Sequence, residues 1–519
     1  MSKPIRHLTE MDGLAKMKIV FFRVKLNPAD TTVPGQIRAL NLQIHDERGF
    51  SMSRENNLTI LADLARPKVR PPLDPGFRPA ALVNRAFREA VAAAGGGEPV
   101  ILALERGDAQ VSVYHTAVFA VDDQRSAMNP AYIERLVKFL LWQKGGWRIT
   151  VGGPREIGEY VKAVYAENGV RAFDNRFMSG IYERQFTVEV TTVDRVPAAY
   201  EKTEGLGGHL KGCRIGFDLG ASDRKVAAVI DGEVVFSEEV VWNPKLHNDP
   251  SYHYHQIQAA LHHAASFLPR VDAIGGSSAG VYVNNRVMAA SLFRAIPPEL
   301  FEARIKDLFL TIGKEWGVPL AVINDGEVTA LAGAMNEGDG AVLGVAMGSS
   351  EAAGYVTGDG KLTSCLNELA FVPVDYQAGA PADEWSGDRG CGVQYFSQEA
   401  VIRLAPAAGI ELPQGTPAEK LQAVQTLLAA GDRRPRPIYE TIGCYLGYGI
   451  GHYADFYDLR HLLVLGRVTS GEGGRIIMET AKRVLAEEFP ELAGRIVFSL
   501  PEEAERRVGQ AIAAASLPE

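Results

Sequence analysis

Residues 215–225 run Ile215-Gly216-Phe217-Asp218-Leu219-Gly220-Ala221-Ser222-Asp223-Arg224-Lys225, an apolar stretch that ends on a carboxylate, a glycine, a small residue and a hydroxyl. Apolar residues resume over 226–230, and Asp231-Gly232 follows as a strong hairpin-turn pair. This pattern predicts two strands joined by a tight glycine turn. Backbone N–H groups in such a turn can face a phosphate, with the Ser222 hydroxyl beside them. Asp218 is placed to hold Mg²⁺ through water. The alternative is an ordinary hairpin that carries an Asp, so the rest of the chain has to decide.

Three further segments repeat the logic. Residues 342–347 form an apolar strand that runs into Gly348-Ser349-Ser350, and a second strand follows at 353–356. Two such loops on two sheets would face each other across a cleft. Residues 320–323 form a strand that ends on Asn324-Asp325 before a helix. That pair can hold a substrate hydroxyl and accept its proton, or simply cap the helix. Residues 462–466 lead through Gly466-Arg467-Val468-Thr469 into a long helix, a strand–loop–helix that can seat an adenosine or a phosphate. Ser278 stands in a small-residue loop, 275–281, at the carboxyl end of a strand, where open α/β sheets bind ligands. Gly443, Gly447 and Gly451 recur every four residues on a helix, a face for close packing or for a nucleotide.

A chain of 519 residues exceeds one compact core, so a division near residues 205–212, where charged residues give way to glycines, is expected. Residues 1–205 then form an N-terminal α/β domain without an assigned function. It has a strand at 37–44, a Pro/Arg-rich linker over 65–79 and helices after 80 and after Asn129-Pro130. Its strand–strand–helix–strand–helix order raises the possibility of a duplication. Gly152-Gly153-Pro154 is either an anion site at a helix start or a tight turn. A net charge of −9 argues against nucleic acid and anionic membranes as partners, and no apolar run reaches the roughly 18 residues of a bilayer span. The four cysteines form no CxxC pair, and the first residues lack a signal-peptide core; a cytoplasmic location is expected.

Taken in order, these motifs resemble the ROK family of sugar kinases and regulators over residues 212–519. The resemblance implies an α/β, two-lobed actin-like/hexokinase-like (RNase H-like) fold, preceded here by the extra α/β domain. It implies Asp325 as general base and Asn324, Glu368, Glu327 and Ser278 around the acceptor. Asp218, Gly220, Ser222, Lys225, Gly348, Ser349, Gly466 and Thr469 would face ATP, with Mg²⁺ at Asp218. The implied partner is a sugar or polyol, and a homodimer is expected because members often dimerise. Several positions depart from the family pattern. Its sugar-segment His is Phe371, its zinc cysteines fall on Glu384 and Ser386 with Cys391 alone kept, and the second Asn of the catalytic segment is Glu327. No structural zinc is therefore expected. In the second phosphate loop Ser350 and Ala352 replace glycines beside Glu351, a carboxylate expected to hinder a polyphosphate, and Arg467 takes one glycine position of the adenosine loop. Because the glucose-type set is half kept, the acceptor is expected to be other than plain glucose. The competing expectation is a non-catalytic sensor or scaffold with altered phosphate loops.

Overall fold

The computed structural model describes residues 54–204, 207–220, 223–500 and 503–519. The strand expected at 37–44 and the Ser222 hydroxyl lie outside the described residues. The N-terminal unit contains α1 (Arg54–Ala62), α2 (Ala80–Ala93), β1 (Glu98–Glu105), β2 (Val111–Val118) and α3 (Asn129–Lys144). It continues through β3 (Arg148–Gly152), α4 (Arg155–Val164), α5 (Ala172–Tyr182) and β4 (Thr187–Thr191). Its sheet runs β2-β1-β3-β4, with β1 antiparallel to both β2 and β3. Gly153 serves a tight turn: a side chain there would meet Pro99 O at 2.8 Å.

The remainder builds two lobes. The first contains β6 (Cys213–Leu219), β7 (Asp223–Ile230), β8 (Glu233–Val241), α6 (Pro250–Ala265), β9 (Ala273–Ser278), β10 (Val281–Val283) and β11 (Arg286–Ala289). After α7 (Pro298–Leu300) and α8 (Leu308–Trp316), β12 (Leu320–Asn324) completes its sheet, ordered β12-β9-β6-β7-β8. Helix α9 (Asp325–Glu337) crosses to the second lobe, where β13 (Val342–Met347), β14 (Glu351–Val356) and β15 (Leu362–Thr363) follow. Then come α10 (Gln398–Leu404), α11 (Pro417–Ala429), α12 (Arg436–Tyr453), β16 (His461–Leu465), α13 (Gly471–Glu488), α14 (Pro490–Ala493) and β17 (Val497–Ser499). Helix α15 (Glu503–Ala515) ends the chain's regular structure. The second sheet is ordered β17-β16-β13-β14-β15-β5, where β5 is Thr203–Glu204.

The two lobes share one topology. In each, a central strand carries an antiparallel hairpin on one side and two parallel strands on the other. The hairpin turns therefore sit at equivalent corners, the two-lobed α/β arrangement of the actin-like/hexokinase-like fold. The N-terminal sheet does not repeat it, because β1 meets β3 antiparallel where the lobes pair the corresponding strands in parallel.

Glycines set how closely the parts approach. A Cβ on Gly216 or Gly275 would lie 2.2 Å from Ala511 O or 1.7 Å from Ala514 O, so α15 rests directly on the first-lobe sheet. Gly443, Gly447 and Gly451 face Thr480, Val484 and Phe489, which makes that stripe a helix-packing surface rather than a nucleotide face.

The N-terminal unit and the second lobe share one apolar core, running from Leu61 to Val188 and again from Leu343 to Ile496. The Pro/Arg-rich stretch 65–79 is irregular but docked along α12. Phe77 packs its ring 4.8 Å from that of Tyr445, Tyr448 donates to Val69 O at 2.8 Å, and Tyr445 donates to Asp74 at 2.6 Å. At the expected linker, Gly207 N–H donates to Leu517 O.

Helix α3 is buried on nearly every face, including Glu134, Arg135 and Lys138. Those charges survive burial because each is paired. Arg171 bridges Glu134 at 2.7 Å and Asp388 at 2.6 Å, Arg135 reaches Asp388 at 2.9 Å, and Arg54 closes on Glu134. Lys138 meets Asp174 at 2.7 Å, and the Trp142 indole donates to the same oxygen. Burial alone would push the Asp388 carboxyl up, but Arg135, Arg171 and Lys138 outweigh it and hold it well below the carboxylate range. This cluster fastens the 387–392 segment, where the family resemblance leads one to look for a zinc clip.

Candidate active site

Asp218 is the penultimate residue of β6, opposite Lys225 on β7 and Ser277 on β9. Neighbours in a sheet share a face, so register alone converges the three side chains. Ser277 Oγ donates to Asp218 Oδ1 at 2.8 Å, and Lys225 Nζ lies 3.2 Å from Asp218 Oδ2 and 3.2 Å from Asp223 Oδ1. Burial would lower the Lys225 ammonium, but Asp218 and Asp223 outweigh it and raise it.

The amides of Gly220 and Gly348 are each bonded within their own hairpin. Gly220 N–H donates to Asp223 O at 2.9 Å, and its carbonyl accepts from the Trp242 indole. Gly348 N–H donates to Ser350 O at 2.9 Å. Both amides expected to face a phosphate are therefore used within their own hairpins, while Ser349 is exposed at the second tip. Gly466, with φ 104°, packs onto Met347 O and accepts from Thr469 Oγ1 at 2.9 Å. Those two residues adjoin the second turn, and Arg467 takes part through its carbonyl, which accepts from Gln425.

Asp325 opens α9 at the junction of the lobes. Gly326 and Gly354 permit that junction: a Cβ on Gly326 would lie 2.4 Å from Ala353 O, and one on Gly354 2.2 Å from Gly326 O. Asn324 caps the helix, its Oδ1 accepting from Gly326 N–H at 2.7 Å while Nδ2 donates to Gly280 O at 2.8 Å. Both ends of Asn324 thus hold protein groups, and the residue positions its neighbour. Burial, and then the charge of Asp218, pushes the Asp325 carboxyl up to about 6.

Asp325 also acts on Glu368, which is pushed up to about 7 by burial and then by the Asp325 charge. Glu368 is placed by the N-terminal unit. Its N–H donates to Trp142 O at 3.0 Å, Asn367 N–H donates to Gln143 O at 2.9 Å, and Phe371 stacks on Trp142 with ring centroids 4.1 Å apart. Helix α3 therefore orders the segment in which Phe371 replaces the expected histidine.

Asn324, Glu327 and Glu368 line a cavity of about 390 Å³ between the lobes. The first lobe adds the hairpin at Gly280–Asn285, the second Thr363–Leu366, and the N-terminal unit Arg106, Gly107, Gln110 and Tyr182. Ser278 is fully buried beneath this wall and accepts from Tyr282 at 2.6 Å. Gly348, Ser349, Gly466 and Thr469 lie outside the cavity lining. Asp218 and Lys225 border a second cavity, of about 210 Å³, against α15. Sequence reasoning missed Ser277, Tyr282 and the whole N-terminal wall. Strand register could have found Ser277; no local signal marks Arg106, Gln110 or Tyr182.

Glu351 corrects an expectation. Its side chain turns away from the cleft into the second lobe, where Tyr453 donates to Oε1 at 3.2 Å and Oε2 is buried without a partner. Burial pushes it up to about 8, with Tyr453 opposing and Glu368 adding to the rise. A carboxyl raised above its unfolded value contributes stability below about pH 4.5 that is lost as pH rises through about 8. Glu351→Gln is therefore expected to flatten this alkaline loss by about 4 kcal/mol between pH 5 and pH 9, at 1.36 kcal/mol for each of about three pKa units. Urea unfolding at pH 5 and pH 9 checks it; equal pH dependence in the two proteins would refute it.

Comparison with known proteins gives fold-level likeness. No family model matches the chain, and no curated protein matches it. It is similar to the solved structure of a ROK family glucokinase from Streptomyces griseus in complex with glucose and AMPPNP, at 20% identity and TM-score 0.46, covering 58% of this chain and 99% of that one. The ROK hexokinase from Thermus thermophilus gives 18% and 0.45, covering 58% and 97%. A ROK family transcriptional regulator, a homolog of the E. coli MLC protein, gives 18% and 0.47, covering 59% and 79%. No described helix is long and apolar enough to cross a membrane.

Proposed function

We propose that this protein is a ROK-type kinase that transfers a phosphoryl group from ATP to a hydroxyl of a sugar or polyol other than plain glucose. One observation carries the reading. Asp325 opens α9 at the lobe junction, near enough to Asp218 and to Glu368 for the charges to act on one another, and Asn324 and Glu327 beside it line the 390 Å³ cavity together with Glu368. Asp325 accepts the proton of the acceptor hydroxyl, Asn324 fixes the helix start that aims it, and Glu368 with Glu327 binds acceptor hydroxyls. Lys225 lies where it can meet phosphate charge.

Asp218 has the chemistry to hold a hydrated Mg²⁺ through water. Its oxygens are engaged by Ser277 and Lys225, and no group of three metal-ligating side chains stands among the described residues, so outer-sphere binding suits it best. Bound there, Mg²⁺ would neutralise phosphate charge. Phosphoryl transfer demands mostly positioning and charge stabilisation, which two lobes closing on a fixed base supply. The N-terminal unit, proposed as a domain over residues 1–205, completes the acceptor wall.

A second reading, a sugar sensor or scaffold, is favoured by the engaged amides of Gly220 and Gly348. Thermal unfolding separates the two. Mg-ATP at about 100 times Kd contributes about 2.7 kcal/mol and should raise Tm by about 2–3 °C for a chain of this length. That shift, together with turnover in a screen of sugars and polyols, is the expected result. Stabilisation by sugar alone supports the sensor, and absence of both shift and turnover overturns the kinase.

A further inference from the structure

The acceptor cavity has a wall that the two lobes do not supply. We propose that Tyr182 of the N-terminal unit is a specificity-determining residue, and that the acceptor is a polyol extended by a second ring or a substituent of similar size. The inference rests on the kinase reading for which hydroxyl reacts, but on the cavity alone for what binds.

Two anchors fix Tyr182. Gly145, at φ 79°, ends α3, and a Cβ there would lie 2.0 Å from the Tyr182 hydroxyl, so the ring occupies space that only a glycine leaves open. The next residue, Glu183, has φ 51° and turns its carboxylate across the cleft to Arg286 and, at 2.8 Å, to Lys306 of the first lobe. The ring is thereby pinned between the N-terminal unit and the hairpin that forms the opposite wall. Its hydroxyl makes no hydrogen bond among the described residues, and the residue lines the cavity. An aromatic face with an unused hydroxyl offers apolar contact and one directional hydrogen bond, the combination that recognises a ring bearing hydroxyls.

Size supports the acceptor class. A reacting hydroxyl must lie near Asp325, on the side of Asn324 and Glu368, which leaves the N-terminal wall to whatever the acceptor carries beyond its first ring. The 390 Å³ available falls within the range of about 300–1,000 Å³ for pockets that enclose drug-sized ligands. That is more room than a single six-membered polyol requires.

The test compares hexoses and polyols with their phenyl glycosides and with disaccharides, on wild type, Tyr182→Phe and Tyr182→Ala. Binding is read without nucleotide, by calorimetry, and transfer is read with Mg-ATP. Wild type should bind the extended acceptors at least 10-fold more tightly than the free hexoses. Tyr182→Phe should lose about threefold on the extended set, and Tyr182→Ala most of the preference. If Tyr182→Ala fails to fold, Tyr182→Phe carries the comparison. An unchanged preference in the folded variants, or no binding of any extended acceptor, overturns the proposal. A preference that depends on Tyr182 without any transfer upholds it and overturns the kinase reading; transfer with a preference that ignores Tyr182 does the reverse.

Discussion

Asp325→Asn is expected to lower kcat for phosphoryl transfer by about 100- to 10,000-fold, the range for loss of a positioned general base. The substitution is nearly isosteric, and the Asn oxygen can still accept from Gly326 N–H, as Asp325 Oδ1 does at 3.1 Å. Folding should not suffer, because a buried carboxyl raised by its own desolvation and by Asp218 is replaced with a neutral amide. Mg-ATP stabilisation should therefore survive. In wild type, kcat/KM should rise with pH through about 6 as the Asp325 carboxyl ionises. Asp325→Asn should lose that limb. Glu368, at about 7, is coupled to Asp325 and should broaden it. Turnover within threefold of wild type, or an unchanged acid limb, would remove Asp325 from the role of base.

Arg171→Met is expected to destabilise the protein by about 3–5 kcal/mol, the cost of leaving buried charges without a partner. Arg171 is almost fully buried and serves two carboxylates at once, Glu134 and Asp388. Arg135 and Arg54 remain, but each covers one acid only. The effect should reach the acceptor segment by a short path. The 388–392 strip is hydrogen-bonded to residues 372–375, through Val374 N–H to Gly390 O at 2.8 Å and Gly392 N–H to Val372 O at 3.0 Å. Glu368 lies at the head of that strip. A folded Arg171→Met protein should accordingly show a raised KM for the acceptor, with ATP binding unchanged. Adding Asp388→Leu should recover part of the stability, since an apolar replacement of a buried pair is often neutral. Urea unfolding of the single and double variants measures both; a single-variant loss below 1 kcal/mol would show that the network carries little. The depressed Asp388 carboxyl sets the sign of the pH dependence: its contribution is present above the ordinary carboxylate range and is lost as pH falls toward its folded value.

The chemistry-bearing residues of the two lobes could be read locally because each sits where a strand ends. Asp218, Asn324 and Gly348 follow apolar runs and precede a turn or a helix, and strand-end geometry is set by a few neighbouring residues. The same local reading gave misleading detail inside the turns. It could not tell that Gly220 and Gly348 close their own hairpins, because a tight turn and a phosphate loop use the same residues. It set Glu351 beside a phosphate loop, whereas β14 is buried at nearly every position and the Glu351 side chain is buried with Tyr453 donating to it.

What the amino-acid order determined by itself was the motif-bearing strands and helices after residue 212 (though not the β10–β11 hairpin or α15), the two matching hairpins, and Asp325 as the group at the head of α9. Hydrophobic periodicity and glycine placement are short-range properties, and they suffice for that. What only the tertiary structure decided was the environment of those groups: Asp325 brought near both Asp218 and Glu368, Glu368 held by the carbonyl end of α3, and a cavity wall made from Arg106, Gln110 and Tyr182. Asp325 with Asp218, and Glu368 with α3, join residues more than a hundred positions apart. They depend on the shared core of the N-terminal unit and the second lobe, which no local pattern encodes, and on Gly145 and Gly326 allowing approaches whose partners are known only once the chain has folded.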